Sequence, residues 1–371
     1  MSLFPMSLSK IDRSLLVAIV VVLAAATSAS RAPAQTAPRP DVPLDSLARS
    51  FAEAHALPSL VLGVSVGGER TVVGLGEVGG AAPDARTLYE IGSVSKVLTS
   101  LALADAAVRG EVTLETPVAD LLPGWTVGAH PDGPIRLVDL ATHTSGLPRL
   151  PLNLFATMHG ADPYAAYTPD LLRAALAGAA PATAPGATFE YSNLAAGLLG
   201  FALAQRAEAT YGALVTERVL APLGLTETTM AVAAADTARF APAHGADGAP
   251  VPHWTWTEPT AGAGAWRSTA GDLLTLAEAA LDPSATPLAE PLALSLQVRS
   301  DASRERRMGL GWFHGVIGER PAVFHNGMVG GSAAFVGAVP EAGVAVVILT
   351  NRQVSVDALA VEALARLVAA R

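Results

Sequence analysis

The chain predicts an α+β protein: an antiparallel sheet built from both chain ends, flanked by helices, with a mainly helical subdomain inserted. Three observations carry that reading. β-rich runs lie near the start, Leu60 to Val66 and Arg70 to Leu75, and again near the finish, Ala322 to His325, Ser332 to Val339 and Val344 to Thr350. From about residue 111 to 258 the apolar residues instead recur at helical spacing, between Pro- and Gly-rich loops. No segment repeats at a fixed period, so an array of repeats is excluded. The two ends are therefore expected to meet in one sheet.

The elements follow in order. Lys10 and Arg13 precede the twelve-residue apolar run Leu15 to Ala26, and Ala32-Pro33-Ala34 follows it. That is the layout of a secretory signal peptide over residues 1–34. Cleavage is placed after Ala34, with a site near Ala29 also allowed. The run is too short for the ~20 residues that span a bilayer as helix, so no stable membrane span is expected after cleavage. Residues 35–43 are proline-rich and read as an extended tether. The domain proper is expected at 44–371, its α/β part at about 44–110 and 259–371 and its helical subdomain at about 111–258.

Leu44, Leu47 and Phe51 share one helical face. Gly67-Gly68 between two β-rich runs marks a hairpin. Val94, Val97, Leu98, Leu101 and Val108 recur at helical spacing, and Gly110 is a natural stop. Further helices are expected over Leu171 to Ala179, Leu194 to Glu208 and Leu214 to Leu220. A closing helix carries Val356, Leu359, Leu364 and Leu367 on one stripe.

Composition narrows the function. Hydrophobic residues make up 51% and charged residues 15% of the 371 positions, which indicates a large core rather than disorder. The net charge is −9, and −11 once residues 1–34 are removed, with no basic tract of the kind nucleic-acid binders carry. Arg304-Glu305-Arg306-Arg307 reads as a solvated loop. The absence of cysteine excludes disulfides, thiol catalysis, Cys-ligated zinc and a lipid-anchored N-terminal cysteine. His55, His130, His159, His244, His253 and His314 lack metal-ligand spacing, and neither a metal nor another cofactor is expected.

Lysine usage singles out one stretch, Ile91-Gly92-Ser93-Val94-Ser95-Lys96. Lys10 and Lys96 are the only lysines, and the other 22 basic residues are arginine. Arginine cannot lose its proton in a protein, whereas a buried lysine can. A lone lysine three positions after a serine, on one helical face, is a candidate nucleophile–base pair. Two further motif matches lack their context. Gly63-Val64-Ser65-Val66-Gly67 fits a nucleophile elbow in spelling but runs into a hairpin instead of a helix. Gly74-Leu75-Gly76-Glu77-Val78-Gly79 fits a dinucleotide fingerprint but no helix follows to hold a pyrophosphate.

A serine–lysine pair needs polar partners. Tyr191-Ser192-Asn193 lies in a loop entering a helix, and Phe324-His325-Asn326-Gly327-Met328 lies at a strand end before a Gly-rich turn. With these the chain resembles the serine β-lactamase/penicillin-binding-protein superfamily, in its class C-like branch. S-x-x-K stands at Ser93–Lys96, Y-x-N at Tyr191–Asn193, and the equivalent of the third, K/H-x-G motif at His325–Gly327. The stretches Thr142 to Pro148, Ala221 to Leu225, Ser268 to Leu273 and Gly309 to Trp312 also resemble that branch and run in its order.

The resemblance implies a DD-peptidase/β-lactamase-like fold and these roles. Ser93 becomes acylated, Lys96 and Tyr191 move its proton, and Asn193 orients substrate. His325, Asn326 and Gly327 form the opposite wall, and the backbone N–H groups of Ser93 and Met328 form the oxyanion hole. One departure matters: His325 stands where the family's β-lactamases carry a lysine, and a largely neutral imidazole is a poor carboxylate anchor. The HxG form resembles the D-amino-acid peptidase and esterase members, which points away from efficient β-lactam hydrolysis. His143 reads as a structural hydrogen-bonder beneath the site, and Trp254 and Trp256 as cleft or core residues.

The expected function is an exported serine hydrolase acting on small esters, amides or D-amino-acid-type peptides, with a small-molecule or peptide substrate and no nucleic acid. A genuine β-lactamase or DD-peptidase, and a non-catalytic penicillin-recognition protein, stay open as alternatives. Oligomeric state is not legible.

Overall fold

The structure is a computed structural model and describes residues 43–156, 158 and 162–371. The predicted signal peptide and all of the predicted tether except Pro43 lie outside the described residues. The architecture is the predicted α+β one. Ten strands are present among the described residues: β1 (Ser59–Val66), β2 (Glu69–Gly76), β3 (Tyr89–Glu90), β4 (Arg267–Ser268), β5 (Ser300–Asp301), β6 (Arg307–Met308), β7 (Phe313–Ile317), β8 (Arg320–Met328), β9 (Ala333–Val339) and β10 (Val344–Thr350). Eight form one antiparallel sheet in the order β2-β1-β10-β9-β8-β7-β6-β5, while β3 and β4 pair separately.

The closure of the two chain ends is visible in the register. Leu60 on β1 stands opposite Thr350 on β10, and Val66 stands opposite Val344. Alternation then sorts the side chains. Val344, Val346 and Ile348 join the core beneath the terminal helices Leu44–Ala54 and Asp357–Ala369. Ala345, Val347 and Leu349 point the other way, into a core shared with the helices Ser95–Val108, Asn193–Arg206 and Ala270–Leu281. Both faces are covered, which is why β1, β9 and β10 read as near-continuous apolar runs. Leu44, Leu47 and Phe51 pack against the first core, as do Val356, Leu359, Leu364 and Leu367, the stripes read from the sequence.

The structure departs from the sequence reading in a few places. The helix expected from Ser93 begins as a tight turn, Gly92–Val94, and becomes α-helical at Ser95. The run expected at Leu214 to Leu220 starts earlier, at Tyr211, because Thr210 caps it through the Ala213 N–H at 3.2 Å. Helix Ala270–Leu281 falls where β structure was expected to return. Thr269 caps it at the Asp272 N–H, 3.2 Å away. The short strands β5, β6 and β7 carry too few buried residues for an alternation to show.

Candidate active site

Ser93 sits in the tight turn where β3 enters the helix Ser95–Val108. Gly92 has φ +50, a left-handed conformation that suits glycine. The turn is held by the neighbouring segment: Ile91 N–H donates to the Trp266 carbonyl at 3.1 Å, and Trp266 N–H donates to Ser95 Oγ at 3.2 Å. Lys96, the second residue of that helix, is 2% exposed. Its Nζ lies 2.9 Å from Ser93 Oγ, 2.9 Å from Asn193 Oδ1 and 2.7 Å from the Ala263 carbonyl oxygen. None of these neighbours is a carboxylate. Burial, aided by the positive charge of Arg149, therefore holds Lys96 well below the usual lysine range.

The second segment enters the same cleft from the start of the helix Asn193–Arg206. Ser192 is its N-cap, accepting from Ala195 N–H at 2.9 Å and donating its own hydroxyl to the Pro148 carbonyl at 2.7 Å. The cap turns Tyr191 and Asn193 toward Lys96, whose Nζ lies 5.0 Å from the Tyr191 ring centre. Burial pushes the Tyr191 phenol up to about 12, against a hydrogen bond with Ser93 that lowers it. His143 supports this segment from beneath. Its Nδ1 accepts from Ser192 N–H at 3.2 Å, its carbonyl accepts from Glu190 N–H at 2.7 Å, and its ring lies 4.4 Å from that of Tyr191.

The third segment closes the opposite wall. β7 pairs with β8 only as far as Phe324, opposite Phe313, so the edge from His325 to Met328 is left free of β7. Val329 N–H bonds the Ser332 carbonyl, and antiparallel alternation then turns the N–H groups of Met328 and Asn326 away from β9. That edge meets the Ser93 turn at very short range. A Cβ on Gly327 would lie 3.0 Å from Ser93 N, and one on Gly92 would lie 2.9 Å from Met328 N. The two backbone amides expected to hold an oxyanion are thus brought together by a pair of glycines.

Alternation also separates His325 from Asn326. His325 is fully buried with its ring 6.5 Å from that of Tyr191. Its Nδ1 donates to the Asn326 carbonyl at 2.6 Å, leaving Nε2 as an acceptor with no protein partner. Burial, then the charge of Lys96, lowers His325 to about 3, so it is neutral near pH 7. Asn326 points the other way, its Nδ2 donating to Asp357 Oδ2 at 2.8 Å on the terminal-helix face. Its side chain is not brought to the cleft, because consecutive strand residues face opposite sides.

Several participants carry no sequence signal of their own. The Ala263 carbonyl reaches Lys96 from a segment braced by a buried network: Thr99 Oγ1 donates to the Gly262 carbonyl at 2.8 Å and lies 2.7 Å from Tyr211 Oη, which accepts from Trp266 Nε1 at 3.0 Å. Glu90, 2% exposed, pairs with Arg267 at 3.2 Å and accepts from Trp254 N–H at 3.2 Å, fixing the loop that carries Trp254 and Trp256. Tyr164 stacks on Trp256 at 4.3 Å and its hydroxyl lies 3.5 Å from Asn193 Nδ2, so this aromatic group borders the cleft. Ser65 lies buried inside β1 and belongs to no turn. A cavity of about 710 Å³ lined by Arg304, Arg306, Val316, Phe324, Asp357 and Val361 opens on the terminal-helix side of the sheet and contains none of the predicted site residues.

This fold brings a serine, a buried lysine and a tyrosine together at one turn. Comparison with known proteins gives the family. The family model described as Beta-lactamase matches residues 44–371. Penicillin-binding protein 4 of Amycolatopsis lactamdurans is 27% identical over 318 residues, covering 80% of this chain and 81% of that protein. The D-alanyl-D-alanine-carboxypeptidase/endopeptidase AmpH of Escherichia coli strain K12 is 32% identical over 231 residues, 58% of this chain and 57% of that protein. A class C beta lactamase from Rhodobacter sphaeroides superposes with a TM-score of 0.75 at 25% identity, covering 88% of this chain and 98% of that one. The chain belongs to the beta-lactamase family and is a serine hydrolase of that superfamily.

Proposed function

We propose that the protein is an exported hydrolase that is acylated on Ser93 and cleaves small esters or amides, D-amino-acid-type peptides among them. One observation carries the reading: Lys96 Nζ, buried and without a carboxylate partner, stands 2.9 Å from Ser93 Oγ. A neutral amine has two N–H donors and one lone pair. Asn193 Oδ1 and the Ala263 carbonyl take the two donors, and the lone pair is left for the Ser93 hydroxyl proton. The export half of the proposal rests on residues 1–34.

The chemistry then follows from the geometry. Ser93 Oγ attacks the scissile carbonyl while Lys96 takes its proton. The oxyanion accepts hydrogen bonds from the Ser93 and Met328 N–H groups, each typically worth roughly 3–4 kcal/mol in the transition state. As the carbonyl re-forms, the leaving alkoxide or amine departs with a proton delivered through Tyr191, whose phenol is protonated at neutral pH and is resupplied by the Lys96 ammonium. Water, deprotonated by the same groups, attacks the acyl-enzyme, and Ser93 recovers its proton.

The peptidase name of one relative supports a D-amino-acid-type amide, whereas a neutral His325 argues against capture of a substrate carboxylate at the third motif as a lysine would do it. A fluorophosphonate probe tests the acyl-serine step. Wild type should label and Ser93→Ala should not; an unlabelled wild type, or an equally labelled variant, would sink it. Ser65→Ala should keep its turnover. Faster turnover of nitrocefin than of a short-chain p-nitrophenyl ester would favour the β-lactamase reading instead.

A further inference from the structure

The third motif supplies no positive charge to the cleft, and an exposed cation lies on the opposite wall. Arg149 is exposed, and its guanidinium carbon stands 5.1 Å from the Tyr191 ring centre. Its backbone is anchored in the site: the Arg149 carbonyl accepts from Asn193 N–H at 2.8 Å and Leu194 N–H at 3.3 Å, closing the first turn of that helix. The side chain therefore leaves the chain at a point locked to Asn193, and its charge is felt by Lys96, Tyr191, Tyr164 and His143.

Arg149 has no counter-ion, and its place over the Tyr191 ring sets it apart from the other arginines that lack one. Arg70, Arg136, Arg218, Arg239 and Arg267 each pair with a carboxylate. Among the described residues no carboxylate lies within ion-pair distance of Arg149, and no hydrogen bond consumes its guanidinium donors. A planar fork with free donors beside a buried reaction centre suits a carboxylate, which it can hold through two parallel hydrogen bonds.

We propose that Arg149 is the specificity-determining anchor for a substrate carboxylate, so that this site prefers esters or amides bearing a free carboxylate near the scissile bond. This rests on the acyl-serine reading above. The carboxylate belongs either to the acyl group or to the leaving group, and both sources present the same chemistry to the guanidinium.

Two matched ester pairs separate the sources. 4-Nitrophenyl hydrogen glutarate against 4-nitrophenyl pentanoate places the charge on the acyl side; 3-(butanoyloxy)benzoate against phenyl butanoate places it on the leaving group. The readout is the ratio of kcat/KM for the charged ester to that for its neutral partner. In one series Arg149→Gln should lower that ratio roughly 10- to 100-fold, chiefly through KM, and Arg149→Lys should recover part of it. A ratio that is unchanged by Arg149→Gln in both series, in a variant that still labels with the fluorophosphonate, would overturn the anchor and leave the acyl-serine reading intact. Failure of wild type to label would overturn both.

Discussion

Gly327 passes so close to Ile91 that a Cβ on it would stand 2.0 Å from the Ile91 carbonyl oxygen. That contact brings the end of β8 onto the Ser93 turn, and with it the Met328 amide onto the Ser93 amide. Gly327→Ala must push the two backbones apart. Expected are a loss of acylation rate of about 10²-fold or more, the typical cost of one misplaced oxyanion donor, and a lower Tm. Stopped-flow acylation by a chromogenic ester measures the first. A variant acylating at the wild-type rate would show that the approach has no role in the chemistry.

The pH profile reports on Lys96. Burial lowers its pKa well below the usual lysine value, so the catalytically useful neutral form exists far below pH 10. The profile of kcat/KM should rise with pH through that ionisation and then stay level, since the Tyr191 phenol at about 12 remains protonated. Removing a nearby cation favours the charged amine, so Arg149→Gln should move the acid limb upward. A limb near the free lysine value would contradict a buried neutral base.

His325 couples stability to acid. Its folded pKa is lowered to about 3 from 6.5, so between those values the unfolded chain binds more protons and stability falls as pH drops below about 6.5. Down to about pH 4 the loss from this group amounts to roughly 3 kcal/mol. Urea titrations at neutral and acid pH should show His325→Gln losing less stability than wild type by about that amount. Equal losses would mean that the ring is solvated when charged.

Thr99 is a positioning residue that acts through the Gly262–Ala263 backbone. Thr99→Val leaves the Gly262 carbonyl without its donor and should cost about 1–3 kcal/mol of stability. It should also loosen the Ala263 carbonyl from Lys96 and shift the acid limb of the rate profile, with Thr99→Ser recovering both. A change in Tm with an unmoved profile would assign Thr99 to the core alone.

Much of this molecule was legible from local pattern. The runs of β1, β9 and β10 read as strands because both of their faces are buried, and the terminal helices read as stripes because each has one wet side. The solitary Lys96 stood out because arginine serves every other cationic position after Lys10. What stayed hidden were features with weak local pattern: the short strands β5 to β7, and the helix Ala270–Leu281 in a stretch otherwise read as β.

The candidate site divides the same way. The order of residues along the chain by itself determined the serine–lysine spacing, the Tyr191–Asn193 pair and the lysine-free third motif, since each lies within one short segment whose chemistry depends on neighbours three or fewer positions apart. Only the tertiary structure decided that the Ala263 carbonyl closes the Lys96 shell, that Asn326 turns from the cleft to Asp357, and that Arg149 stands unpaired over Tyr191. Those contacts join segments up to 167 positions apart, as Lys96 and Ala263 are. Their geometry is set by sheet register, helix capping and burial acting together, and none of these is a property of a local stretch.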